Sequence, residues 1–257
     1  MDIKISKFNH YDNLATNTID KYNGGPIKFN DYELNSFSYD KALKYDKRSY
    51  FQYYISLLRT KHPLLFSFFP INDYNSRIIK ISIFLLFFSI NYSINGLFFL
   101  DESIIHLIYQ GEGNYIIIYL APQILFSFII THILYLLLKY IILSERNLVE
   151  IKNAENAEKA NNIIDNVKRI LVIKYICFYV IGSLFLLFDW YYLSSFGAVF
   201  QNTQVYLIKN TFISLGLSFI YPFFINIIPS IFRIISLKDH NKGSTCMFKI
   251  SKIIQFI

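Results

Sequence analysis

The chain has 257 residues and a formal net charge of +7; 54% of its residues are hydrophobic and only 17% are charged. A soluble globular domain carries about 25% charged residues, so the composition argues against an ordinary soluble fold. The two cysteines, Cys177 and Cys246, offer neither a disulfide framework nor the ligand spacing of a metal site, and we expect no cofactor.

The N-terminal part of the chain is polar. Residues 1–40 are rich in Asn and Tyr and contain a Gly-Gly-Pro breaker at 24–26, which predicts a disordered polar cytosolic tail. In residues 41–76, apolar side chains recur at helical spacing up to Lys61, which predicts a cytosolic or interfacial helix. The apolar run 63–70 is too short to cross a bilayer, so we expect it to lie in the membrane interface or to pack beneath a helical bundle.

Four apolar stretches follow. A helix needs about 20 apolar residues to cross roughly 30 Å of hydrocarbon. Within residues 77–237 the composition predicts a four-helix transmembrane domain with spans at about 78–100, 114–140, 170–192 and 210–234. The third stretch is the least regular, because it contains a lysine near its start and Asp189 near its end. The chain is therefore predicted to be an all-α membrane protein.

Residues 141–169, between the second and third stretches, contain neither glycine nor proline. This composition favours a cytosolic helical hairpin that turns near Asn161 and Asn162, with coiled-coil contacts between its arms; a flexible charged loop is the alternative. In residues 238–257 the apolar side chains share one helical face, which predicts an amphipathic interfacial helix. The residues of that face are Met247, Ile250, Ile254 and Ile257.

The basic residues are distributed unevenly. All but one of the 25 lysines and arginines lie before the first span, between the second and third, or after the fourth, or at the ends of the spans that adjoin these segments. The loop at 101–113 contains none of them. Because cytosolic loops carry the excess of basic residues, we expect both termini and the middle loop to be cytosolic. The net charge then suits contact with anionic lipid heads rather than with nucleic acid.

Two ionisable residues within or near the spans are candidate functional residues. Asp189 is either an ion or proton site or, as we expect, an anchor at the outer interface beside the aromatic belt at 190–192. His132, in the inner half of the second span, is either a proton relay or, more commonly for such a residue, a hydrogen-bond partner of a neighbouring helix.

Two prolines interrupt the fourth span. Pro222 and Pro229 mark either a broken helix that lines a cavity or, as we expect, a kink whose free backbone groups are satisfied by neighbours. The apolar segment 194–204 is either a re-entrant loop, which would favour a pore, or an outer loop packed on the bundle, which we prefer.

Several strings resemble uncharacterised multi-pass, four-span membrane proteins of protists with AT-rich genomes. They are YDKRSYFQYY at 45–54, NDYNS at 72–76, WYYLSSF at 190–196, QNTQ at 201–204 and KISKIIQ at 249–255. The resemblance covers most of the chain from about residue 43. It implies a shared membrane fold, no catalytic activity, and a region that some relatives carry at the end of a longer chain.

These observations lead to a functional expectation. The first hypothesis is a structural or assembly role, in which the cytosolic hairpin binds a second copy or another membrane protein. The alternative is a channel or transporter subunit, with Asp189, His132, Pro222 and Pro229 as pore or intramembrane residues. We expect no enzyme activity, because the sequence lacks a metal cluster, a phosphate-binding loop and a nucleophile elbow. The lipid bilayer is the one partner that the composition itself requires.

Overall fold

The computed structural model describes residues 29–69, 73, 75–99, 117–143, 145, 149, 151, 157–238 and 244–256. Within these residues the secondary structure is helical and contains no strand. They divide into two compact units. The larger unit comprises residues 47–71, 75–143 and 174–257 and contains the helices that build the candidate site.

Among the described residues, four helices are long and apolar enough to cross a membrane, in agreement with the predicted all-α protein with four spans. Span one is α5 (Arg77–Leu97), span two is α6 (Ile117–Ile142) and span three is α7 (Ala157–Val199). Span four consists of α8 (Gln204–Ile225) and α9 (Ile227–Lys238). The predicted loop at 101–113 lies outside the described residues.

Short helices precede span one. They are α1 (Asp31–Ser36), α2 (Tyr39–Tyr45), α3 (Tyr50–Lys61) and α4 (Pro63–Phe68). Both α1 and α3 begin with a capping box, in which the side chains of the N-cap residue and of the third helical residue satisfy each other's backbone N–H groups. The predicted disordered tail at 1–40 is therefore wrong for residues 31–36, where the polar sequence supplies helix caps. The predicted helix at 41–61 is also interrupted at residues 46–49, between α2 and α3.

The apolar run that begins at Pro63 forms α4, which packs against span one. Pro63 is the first residue of this helix, where its missing N–H costs nothing. Phe66 is buried in a core cluster with Ile83, Phe87 and Tyr135. This agrees with packing against the bundle, one of the two expected positions of the run.

Ring and hydrogen-bond contacts define the directions of the spans. Phe87 contacts Tyr135 and Phe98 contacts Phe126, so spans one and two are antiparallel. The Ser89–Asp189 and Phe99–Phe196 pairs show that spans one and three are parallel. A single 3-10 turn at Gln201–Thr203 joins spans three and four, and α8 packs against spans one and two.

Span three is longer than the sequence predicts. Its helix begins at Ala157 and continues through Asn161 and Asn162, so the hairpin turn expected there is wrong. Polar residues at 157–169 favour helix well enough to extend the apolar part beyond the bilayer. Residues 144, 146–148, 150 and 152–156 of the proposed hairpin lie outside the described residues, and its coiled-coil contacts stay a prediction.

The segment 194–204 is neither of the two predicted loops. Residues up to Val199 complete span three, and the turn at Gln201–Thr203 leads directly into α8. The Gln204 side-chain amide donates to the Gly197 carbonyl at 3.0 Å, and Thr203 Oγ1 donates to the Phe200 carbonyl at 3.0 Å. Side chains therefore satisfy carbonyls at the end of span three without a re-entrant loop.

Span four is kinked at Asn226. Pro222 and Pro229 lack the backbone N–H that a regular helix would need there. The Asn226 side-chain amide donates to the Pro222 carbonyl at 2.7 Å, and Ser230 Oγ donates to the Asn226 carbonyl at 2.7 Å. The backbone N–H groups of Asn226 and Ser230 donate to the same two carbonyls at 3.4 and 3.3 Å, so helical bonding continues through Asn226. The prolines therefore mark the expected kink, whose backbone groups are satisfied by neighbours, rather than a broken helix.

After the kink, α9 packs against α3 and against α10 (Ser244–Phe256). The fully buried guanidinium of Arg233 lies 4.8 Å from the ring centroid of Tyr53 and 4.9 Å from that of Phe248. Ser251 Oγ donates to the Pro229 carbonyl at 2.8 Å. These contacts join α3, α9 and α10. The C-terminal helix is present, but Met247 and Ile250 of its predicted apolar face are exposed.

Glycine permits close packing between spans one and three. A Cβ atom on Gly96 would lie 2.9 Å from Cε1 of Tyr192, whereas a Cβ atom on Gly216 in span four would meet nothing within 4 Å. We expect Gly96→Ala to lower stability by about 1–3 kcal/mol, because the ring must move. Gly216→Ala is the matched control and should be neutral or stabilising by up to about 1 kcal/mol.

Thermal unfolding of the two variants in detergent tests this contact. Equal stabilisation of the protein by both alanines would contradict the packing of span three on span one.

Candidate functional site

Polar residues form a stripe along span two at intervals of four residues. Because the helix has 3.6 residues per turn, this spacing keeps them on one slowly winding face. The first four are at most 7% exposed, while Ile129, Ile133 and Leu137 on the remaining surface are about half exposed. The stripe consists of Gln123, Ser127, Thr131, Tyr135 and Lys139.

Span four contains a matching stripe, again at intervals of four residues. All its members are buried, and α8 packs against both span one and span two. The stripe consists of Asn210, Ser214, Ser218, Pro222, Asn226 and Ser230. Spans two and four therefore turn their polar faces inward, as membrane helices do when polar groups serve packing or transport.

Two fully buried asparagines of span one connect the stripes. Asn91 Nδ2 donates to Ser214 Oγ at 3.0 Å, which joins spans one and four. Asn95 Nδ2 donates to the Asn91 carbonyl at 2.8 Å. Gln123 Nε2 donates to the Asn95 carbonyl at 3.0 Å, which joins spans two and one. We call the inward polar faces of spans one, two and four, with these asparagines, the polar seam.

Several polar atoms of the seam lack protein partners. Within the described residues, six buried side-chain atoms at or beside the seam on spans one and two have no hydrogen-bond partner. They are Asn95 Oδ1, Gln123 Oε1, Ser127 Oγ, Thr131 Oγ1, His132 Nδ1 and the Tyr135 hydroxyl. At about 1–3 kcal/mol each, these would together cost on the order of 10 kcal/mol in a dry interface. The seam thus has the polarity to hold water.

Many serine hydroxyl groups of the spans are satisfied within their own helix. Ser82, Ser183, Ser194 and Ser195 lie on exposed faces, and each donates its hydroxyl to the carbonyl four residues earlier. Ser218 and Ser230 in the seam do the same. Ser127 and Thr131 do not make this bond, so their hydroxyl groups remain available to a polar guest in the seam.

A cavity of about 120 Å³ lies at the end of the seam where span two finishes. One water molecule needs about 10–15 Å³ by this measure, so the cavity has room for several. It is formed by α3, α10 and spans two and four. The lining residues are Lys61, His132, Leu136, Lys139, Tyr221, Pro222, Ile225 and Gln255.

Two lysines bring positive charge to this cavity, and its lining contains no acidic residue. Lys139 Nζ donates to the Thr60 carbonyl at 2.7 Å and lies 4.0 Å from the ring centroid of Phe66. Lys61 Nζ is buried and has no hydrogen-bond partner among the described residues. Burial lowers the pKa of Lys61 from 10.5 to about 8. Both ammonium groups interact electrostatically with the His132 imidazole.

The structure brings together two of the four residues that the sequence singled out. His132 and Pro222 both line the cavity. The His132 ring packs edge-on against Tyr221, with 5.2 Å between centroids, and it stacks on Phe128. Pro229 lies beyond the kink, where its carbonyl accepts a hydrogen bond from Ser251 Oγ. Asp189 belongs to a different interface.

Asp189 packs against the middle of span one. It is 4% exposed, and its Oδ2 accepts a hydrogen bond from Ser89 Oγ at 2.5 Å. Span three continues for ten residues beyond it, to Val199. This position differs from the expected anchor at the outer interface, because Ser89 lies near the middle of span one. Trp190 and Tyr191 are nonetheless exposed.

Sequence reasoning missed Lys61, Lys139, Tyr221 and Gln255. The four-residue spacing of polar residues on spans two and four was a readable signal for the seam and for Lys139. No comparable signal existed for Lys61 or Gln255, because they lie on α3 and α10, outside the spans. Their place at the cavity depends on how those helices dock.

The chain was compared with protein-family models, with curated proteins and with solved structures, and no match was found. The resemblance to four-span protist proteins therefore stays a prediction. Among the residues that the structure describes, no group of three or more His, Cys, Asp or Glu residues is arranged to hold a metal ion.

Lys61 makes stability depend on pH in a defined direction. Its pKa is lower in the folded protein, so the fold favours the neutral amine. The protein is most stable with respect to this residue above pH 10.5, the pKa of Lys61 in the unfolded chain. That contribution is lost as the pH falls to about 8, the pKa in the folded protein. The difference corresponds to about 3 kcal/mol.

We expect Lys61→Met to be more stable than the natural protein at pH 7, with the gap closing by pH 10.5. Unfolding in detergent at both pH values measures this difference in stability. Lys209→Met, which removes a lysine at the other end of span four, is the control. A gap that is independent of pH would contradict burial of the amine.

Proposed function

We propose that this protein is a channel or transporter subunit in which the polar seam between spans one, two and four is the path of a small polar solute or of water. The observation that carries the proposal is the pair of inward polar stripes on spans two and four. These stripes favour a channel or transporter subunit, the alternative in the sequence analysis, over a purely structural role.

The length of the stripes supports transport. From Gln123 to Lys139 the helix rises about 24 Å, and from Asn210 to Ser230 the residue count corresponds to about 30 Å of helix. The hydrocarbon core is about 30 Å thick. Membrane helices associate through close packing together with interhelical hydrogen bonds that contribute about 0.6 kcal/mol each on average, so association does not need a continuous polar face. Polar stripes that extend through most of the membrane exceed what association requires.

The kink in span four also bears on transport. Transporters often place their binding sites where a helix departs from regular geometry. Here Pro222, one turn before the kink at Asn226, lines the cavity. The seam therefore opens into a polar space at the point where span four changes direction.

Flux through liposomes that contain the purified protein tests the proposal. We expect water or small-solute flux, measured by stopped-flow light scattering, to exceed that of empty liposomes. Ser127→Leu should reduce it about tenfold or more by filling the seam, and Thr131→Val should reduce it with little change in volume.

Ser183→Leu is the matched control, since Ser183 lies on an exposed face of span three. Flux equal to that of empty liposomes for water, ions and small neutral solutes would contradict the proposal. So would a Ser127→Leu protein that folds and conducts normally.

The basic residues support an orientation with both termini cytosolic, which would place the cavity at the cytosolic end of the seam. Cys246 on α10 and Cys177 in span three are both exposed and unpaired, so the chain carries its own probes. We expect a membrane-impermeant maleimide to label Cys246 from the cytosolic side alone. Cys177 should react only with a lipid-soluble reagent. Labelling of Cys246 from the opposite side would invert the arrangement.

A structural or assembly role remains the second candidate, and the polar composition of residues 141–169 is what favours it. In that case crosslinking in membranes would capture a second copy or another membrane protein through these residues. A monomer that captured nothing would remove this candidate and leave the solute path unaffected.

A further inference from the structure

The cavity at the end of the seam combines features that transport of a neutral solute does not need. Its polar lining contains two lysines, a histidine, a tyrosine and a glutamine, and no acidic residue. We propose that this cavity binds a phosphate-type oxyanion, either the headgroup of an anionic phospholipid or a free phosphate compound.

Charge is the first argument. The pKa of Lys61, lowered by burial to about 8, still leaves the amine about 90% protonated at pH 7. Its ammonium group is then buried without a hydrogen-bond partner among the described residues. A buried cation of this kind is stable only with a compensating anion or hydrogen bonds. An oxyanion in the cavity would supply both.

The polar groups of the lining are suited to donating hydrogen bonds. An ammonium group donates and cannot accept, so Lys61 and Lys139 favour an acceptor-only ligand. The Gln255 amide oxygen already accepts from the Tyr53 hydroxyl at 3.2 Å, which leaves the amide NH₂ to donate. A phosphate group, with several acceptor oxygens and negative charge, matches this set. A carboxylate offers fewer oxygens for the same donors.

The cavity also has an apolar side. Leu136 and Ile225 are among its lining residues, and Leu136 is 39% exposed on the outer surface of span two. Lys139 is three residues from the end of that helix, at Ile142. This is the level at which lysines reach the headgroup region of a bilayer. A lipid could place its phosphate on the lysines and its acyl chains along Leu136, whereas a free phosphate compound would use the polar side alone.

Binding in detergent tests the proposal without any measurement of flux, so its failure is distinguishable from failure of the solute path. The probes are inorganic phosphate and dioctanoyl phosphatidic acid, with dioctanoyl phosphatidylcholine as the zwitterionic comparison. We expect phosphatidic acid or inorganic phosphate to raise the thermal unfolding midpoint, with Lys61→Met weakening the affinity at least about tenfold. Lys209→Met removes the same charge elsewhere and should bind as the natural protein does.

The two sources give different results. Stabilisation by both anionic probes at similar affinity indicates the phosphate group alone, and stabilisation by phosphatidic acid alone indicates a lipid. Gln255→Leu provides a second variant with no change of charge, and it should weaken binding as well. The proposal is overturned if neither anionic probe binds, if phosphatidylcholine binds equally well, or if Lys61→Met and Gln255→Leu retain the natural affinity.

Discussion

Lipid offers no hydrogen-bond partners, and this constraint decides where the polar side chains of the spans lie. Exposed serines such as Ser183 donate back to a carbonyl of their own helix. An amide has more polar atoms than one such bond can satisfy, and Asn91, Asn95 and Gln123 meet one another and Ser214 in the interior. Their mutual contacts bring spans one, two and four together. The polar seam and the cavity at its end both follow from that arrangement.

Span three is held to the bundle by different means. It packs along span one through Gly96, where only a glycine leaves room for the ring of Tyr192, and through the hydrogen bond between Ser89 and Asp189. Much of its surface is apolar and exposed. The bundle therefore has a polar side, formed with span four, and an apolar side, formed with span three. This division separates Asp189 from the cavity that contains His132.

Both proposals concern the same end of the seam but rest on different atoms. The solute path depends on the hydroxyl and amide groups of the stripes, which are neutral. The oxyanion site depends on Lys61 and Lys139. The packing of α3, α4 and the end of span two holds their charges near one another. A bound anion there would place negative charge at the mouth of the path. The aromatic contacts of Arg233 fix α3 and α10, and with them two walls of the cavity.

The sequence alone determined the number of spans and their helical character, because twenty apolar residues in a row have no other stable state in lipid. It also carried the four-residue polar spacing of spans two and four. Only the tertiary structure decided that Asp189 meets Ser89, 100 residues earlier, and that Lys139 reaches Thr60 next to Lys61. Such pairings arise from helix docking and from where each helix ends. Composition does not define precisely where a helix ends, since a polar stretch such as 157–169 can either continue a helix or form a turn.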